Sequence, residues 1–296
     1  MIKNILQTLA NIFASFFTDQ DQTLGEQIFS AAIQWKLSSL TKTSKGLFIG
    51  VYNSESRRNS KLYLDGNLIY EGPEETIGQG VEHDGCVYFA GENGRILIYT
   101  NGKITKGAEL QFSTTGVVFG DKPYVLNTKD NKIGAINCLT NLKDLQMPGS
   151  GIVTMALQYD HKLWTAACDG AGGIACNDGK FIPMPDCQCL IEYAGMLLCS
   201  RSNKLYEIVD GKDLSQVDEL PCEKIMHMHV SDGLLWVTGS NPDTLWTYNP
   251  MMRRKDVACF PADETPVGGS VFRTRVTQGY WGRAKNGIAA AVYKIK

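Results

Sequence analysis

Two histidines in Lys224-Ile225-Met226-His227-Met228-His229-Val230 are the residues best placed by type and spacing to do chemistry. In an extended strand, residues i and i+2 share a face. His227 and His229 would therefore point the same way, and two imidazoles could ligate a metal or exchange protons. The same spacing also serves ordinary partly buried histidines, and no third His or Glu is placed with comparable clarity. Glu82-His83-Asp84 and Asp160-His161 fall at strand ends, where they read as readily as turn residues. Arg273 and Arg275 alternate with Phe272 and Val276, and with Arg283 they could give a channel a positive lining or simply be solvated. Cys187-Gln188-Cys189 lacks the second pair that a zinc knuckle needs. Asp169-Gly170-Ala171-Gly172-Gly173 joins two strands, whereas a phosphate cradle needs a strand followed by a helix. No resident metal or cofactor is expected.

The elements that would position these residues are short strands written in period 2. Gly233-Leu234-Leu235-Trp236-Val237-Thr238-Gly239 and Thr244-Leu245-Trp246-Thr247-Tyr248-Asn249 flank an Asn-Pro-Asp turn,. The first strand recurs as Leu47–Tyr52, Cys86–Gly91, Pro123–Asn127, Leu163–Cys168, Met196–Ser200 and Tyr280–Ala284. Its starts lie about 34 to 45 residues apart, a spacing at which repeat architectures arise. The partner strand is followed by Asp65-Gly66, Asn101-Gly102, Asp178-Gly179 and Asp210-Gly211, pairs suited to the type I′ hairpin. Pro73, Pro148, Pro185, Pro221 and Pro261 then end the units, as befits the exit of an edge strand.

A four-stranded unit repeated radially is a β-propeller. The expectation is an all-β, seven-bladed β-propeller over 46–296, or six blades if the first or last unit is incomplete. The last unit runs out of chain after three strands, so its fourth should come from residues 20–45, including Ile28-Phe29 and Ile33-Gln34-Trp35. Trp35, Trp164, Trp236, Trp246 and Trp281 read as core or inter-blade packing before ligand platforms.

The phrases Leu234-Trp236-Val237-Thr238 with Leu245-Trp246, and Asn131-Lys132-Ile133-Gly134, resemble blades of streptogramin-lyase and NHL-type propellers. The Gly-His and Trp-Asp marks of WD40 blades and the paired glycines of kelch are absent. The resemblance covers a few residues per blade and marks fold more than chemistry. It implies, for the lyases, channel-mouth histidines with a carboxylate and Mg²⁺, and this sequence departs from that set.

Residues 1–18 differ from the rest. Ile2, Ile5, Leu6, Leu9, Ile12, Phe13, Phe16 and Phe17 fall at i, i+3, i+4, i+7 spacing, predicting an amphipathic helix of about 25 Å. Gln7 and Asn11 interrupt a secretory apolar core, the run is too short to span a bilayer, and Lys3 is the one cation on the polar face; an unusual export signal and a membrane-surface helix stay as the alternatives. The expectation is docking on protein, through a partner or a second copy, with 19–45 as linker and ring-closing strand. Propellers with an added N-terminal helix resemble accessory proteins of phage tails and other large assemblies.

The bulk numbers limit the function classes. There are 29 basic and 31 acidic residues, a net charge of −2, which speaks against a nucleic-acid partner. Nine cysteines, mostly inside apolar strands, suit reduced thiols in a protein made in the cytoplasm. The leading expectation is a non-catalytic binding and assembly module, a virion or phage-tail component being its most concrete form. The alternative is a metal-dependent lyase or lactone-hydrolase-like propeller using His227 and His229.

Overall fold

The computed structural model describes residues 25–296 apart from 33, 57–58, 74–75, 111–113, 120–122, 128–131, 138–140, 150, 169–170, 241–242, 261–274, 286–288 and 296. The amphipathic stretch 1–17 lies outside the described residues, as does Arg273.

Among the described residues the chain forms seven four-stranded antiparallel sheets and an all-β, propeller-like fold. Sheets one to six are meanders that follow one another along the chain, over 35–72, 81–109, 114–146, 152–183, 187–219 and 224–260. The seventh takes Arg275–Thr277, Tyr280–Lys285 and Ala289–Ile295 from the C-terminal end and Gly25–Ser30 from the other. Gly25 pairs with Ile295 and Ser30 with Ala291, so the first strand among the described residues is the outer strand of the last sheet. Trp35–Thr43 is not linker. It is the innermost strand of sheet one, paired from Trp35↔Asn53 to Thr43↔Gly46, so a boundary at 46 would cut that sheet in two.

Each innermost strand packs on the next, and Arg275–Thr277 packs on Trp35–Thr43, so the sheets close on themselves. The period-2 pattern explains the packing. Alternate residues of the middle strands face opposite neighbours, and the apolar cores lie between sheets. Trp246 and Tyr248 are buried with Tyr193, Leu198 and Leu205 between sheets five and six. Trp164 joins Cys187, Leu190 and Leu197 between four and five.

In a meander the first and third turns share one end of a sheet. At that end the turns are minimal: Asp65-Gly66, Asn101-Gly102 and Asp210-Gly211 have φ of 48 and 82, 49 and 80, and 52 and 68. Two consecutive positive φ values define type I′, whose twist matches the strands it joins. Asp178-Gly179 departs from this expectation, because Gly179 alone has positive φ there. The hairpins leaving the innermost strands use the same turn: Asp84-Gly85, Asp160-His161, Ala194-Gly195 and Asp232-Gly233. That assigns Asp84, Asp160 and His161 to turns rather than to a site.

Candidate functional site at the central channel

The innermost strands surround the axis, and five of them are irregular near their beginnings. The pairing slips at Leu37/Ser39, Thr114/Gly116, Val153/Met155, Cys187/Leu190 and Ile225/His227. A bulge bends a strand and re-aims the side chains beside it. In sheet six the slip leaves Met226 as the extra residue, after which His227 pairs with Thr238 and His229 with Trp236.

His227 is 6% exposed. Its Nε2 lies 3.2 Å from Oε1 of Gln79, in the segment leading into sheet two. Sheets seven and one intervene between those two sheets, so this hydrogen bond crosses the channel. Nε2 is the donor if Oε1 is the acceptor. Thr238 Oγ1 donates to the backbone carbonyl of His227 at 3.4 Å, tying the strand beneath it. His229 is on the same strand face but has a different environment. Burial disfavours its imidazolium and pushes its pKa down, while Asp232 pulls weakly the other way. Among the described residues no group of three or more His, Cys, Asp or Glu could hold a metal ion. Arg275 begins the innermost strand of sheet seven.

Two open grooves lie between sheets. One of 570 Å³ is lined by Asn203, Glu219, Pro221, Cys222, Glu223 and Arg254. Its charges are already engaged: Arg254 Nη1 reaches Asp218 Oδ2 at 3.1 Å and Lys204 Nζ reaches Glu219 Oε2 at 3.4 Å. Burial pushes the Cys222 thiol up to about 11, which removes it as a nucleophile at neutral pH,. The second groove, of 470 Å³, runs beside Tyr159, Asp160, His161 and Ile191. There Tyr159 OH donates to the Gly195 carbonyl of the next sheet at 2.8 Å, a structural bond. Cys187 and Cys199 are buried free thiols, and Cys187 is held protonated by its contact with Cys199 and by burial.

Sequence reasoning missed Gln79, a partner of His227. Nothing in the sequence around Gln79 marks it, because 148 positions separate the pair. It also missed the inter-sheet staples. Tyr159 and Tyr193 are each the last residue of an innermost strand, and each donates to a glycine carbonyl in the next sheet's turn. A Tyr just before a two-residue turn, repeated one unit later, was the available signal.

The fold and channel define a β-propeller with a weak resemblance to streptogramin lyases. No protein-family model matches the chain, and no curated protein matches it. Solved structures do. Virginiamycin B lyase from Staphylococcus aureus superposes with a TM-score of 0.65 at 15% identity, covering 91% of this chain and 99% of that one. BamB from Moraxella catarrhalis gives 0.56 at 12%, covering 92% and 100%. BBS1N, solved in complex with ARL6DN, gives 0.59 at 15%, covering 93% and 97%. At such identities the likeness is one of fold, and the fold hosts both an enzyme and a protein solved with a partner,.

Proposed function

We propose that this chain is a non-catalytic binding and assembly module. It is a closed ring of seven blades attached through residues 1–17 to a larger protein assembly, in its most concrete form a virion or phage tail. The observation that carries this reading is the state of the best catalytic candidate. His227 spends Nε2 on Gln79 across the channel, so the imidazole placed best for proton transfer braces the ring instead. Side-chain bonds from sheet to sheet, such as Tyr159 to Gly195 and Tyr193 to Gly233, supply the stiffness a scaffold needs. BBS1N is a propeller of the same fold solved with a protein partner.

The deciding measurement is light scattering behind size exclusion on the full chain and on a chain lacking residues 1–18. The reading expects association of the full chain and a well-behaved monomer after truncation. Two soluble monomers would remove its support.

A second reading is a metal-dependent lyase or lactone-hydrolase-like enzyme with its site at the channel mouth. The likeness to virginiamycin B lyase and the channel position of His227 favour it. Stoichiometric Mg²⁺ or Mn²⁺ binding that disappears in His227→Ala would promote this reading over the first.

A further inference from the structure

Equivalent positions in the outer strands reveal one uncovered place on the rim. The second residue of the outer strand is Leu68 in sheet one, Ile104 in sheet two and Leu214 in sheet five. Ile104 packs against the core of Phe48, Phe89 and Tyr99 between sheets one and two. Leu214 packs against the core of Trp164 and Cys187 between sheets four and five. Each is covered by the sheet before it. Leu68 is 50% exposed, although its cover should be sheet seven.

The difference lies in what sheet seven offers. Leu68 pairs directly with Tyr63, so both side chains share a sheet face,. Tyr63 meets Phe29 of the ring-closing strand edge-on, with ring centroids 4.9 Å apart. That strand slips in register between Gln27 and Phe29, and Ile28 beside the slip is 39% exposed. Two of the five exposed large hydrophobics among the described residues therefore flank one aromatic contact at the seam.

The chain itself supplies a matching apolar surface. Gly25 lies three residues from Ile28, a span of at most about 10 Å. Before it come Thr18–Leu24, seven residues that reach about 25 Å at full extension, and before them the stripe of Ile2, Ile5, Leu6, Leu9, Ile12, Phe13, Phe16 and Phe17. An amphipathic segment of this length is marginal alone and needs an apolar face to fold against. Tethering makes the nearest such face the most populated partner.

We propose that residues 2–17 dock on the rim of their own ring at the seam between sheets seven and one, covering Ile28 and Leu68. The proposal rests on the attachment reading and adds regulation to it: the tethered segment sits on its own ring at low concentration and is drawn off it by the assembly, or by other copies of the chain, as their concentration rises.

The test uses a peptide of residues 1–18, titrated by fluorescence anisotropy onto the chain lacking those residues. The expected result is saturable binding, weakened at least tenfold by Leu68→Lys or Ile28→Lys and unchanged by Val209→Lys in sheet five. No binding, or binding indifferent to both seam changes, overturns the proposal. Hydrogen exchange on the unmutated protein gives a second readout. Amides of 26–30 and 67–72 should exchange faster in the truncated chain than in the full one, and equal rates count against the proposal. Light scattering of the full chain still judges the attachment reading, so the two can fail separately.

Discussion

The junction between sheets five and six and the seam between sheets seven and one solve the same packing problem differently. At the first, Tyr193 OH lies 2.9 Å from the Gly233 carbonyl and 2.8 Å from that of Tyr248, sharing its proton between them. Tyr248 OH then donates to Asp218 at 2.8 Å, and Arg254 closes on the same carboxylate at 3.1 Å. Burial and the neighbouring Asp218 push the Tyr248 phenol far up, so it stays a donor throughout the ordinary pH range. At the seam, the core around Leu37, Leu40 and Val51 meets the small Ala290 and Val292. Lys42 links the two sheets there, through its N–H to Thr277 Oγ1 at 3.4 Å, a weak geometry, and through Nζ lying 5.9 Å from the centre of the Tyr280 ring,. The reason lies in connectivity. Sheets five and six are each continuous in sequence and are joined by 220–223. Sheets seven and one are joined by 31–34, but sheet seven is itself assembled from Gly25–Ser30 and Ala289–Ile295, a closure of almost the whole chain at a larger entropic cost,. The junction between the two continuous sheets is the tighter.

The largest expected effect tests the tight side. Trp246 is 2% exposed within the core of sheets five and six. Trp246→Ala should cost about 3–5 kcal/mol through lost burial and the cavity left behind, read as a lower urea midpoint by far-ultraviolet circular dichroism. A loss under about 1 kcal/mol would mean that the site collapses freely, against the close packing of that junction.

A matched pair then sets one junction against the other. Tyr193→Phe keeps the ring but removes the donor facing two carbonyls, and should cost about 1–3 kcal/mol. Phe29→Leu at the seam loses one edge-on aromatic contact with Tyr63, and should cost about 0.5–1.5 kcal/mol. Equal costs in the same unfolding assay would break the comparison, because the seam would then be as firmly set as the stapled junction.

Much of this architecture was legible, for local reasons. Leu235, Val237 and Trp246 face the core between sheets five and six while Trp236 and Leu245 face that between sheets six and seven, and period 2 survives any tertiary context that keeps the strand. Pro73, Pro148, Pro185 and Pro221 follow outer strands because proline cannot extend a ladder,. Other features left no local trace. Asp160-His161 and Ala194-Gly195 form the same turn as Asp-Gly pairs, yet only the twist of the flanking strands demands it there. The strand Trp35–Thr43 was hidden because Lys36, Lys42 and Thr43 dilute its apolar pattern. Its burial is shared between Trp35, Leu37 and Leu40 and the polar Ser38, Ser39 and Thr41, with Thr41 Oγ1 accepting from Gly80 N at 2.9 Å. The channel was the least legible part. Both histidines could be placed on one strand, but Gln79 comes from a unit across the ring, and only closure brings it to His227.

The smallest effect separates the two regions by pH. Burial pushes the His229 pKa down, more than Asp232 raises it. An unfolded His takes up its proton near pH 6.5, where the folded chain still resists. The unfolded state then binds more protons, so acid favours unfolding. The stabilisation tied to neutral His229 is fully present above about pH 6.5 and is lost as pH falls toward the lowered folded value. His229→Gln should flatten that acid limb when urea midpoints are compared at pH 7.5, 6.5 and 5.5. Phe29→Leu should lower the whole curve and keep its slope, since no proton is exchanged at that ring contact. A slope unchanged in His229→Gln would show that the acid sensitivity arises elsewhere, and would leave the innermost strand of sheet six without a titrating role.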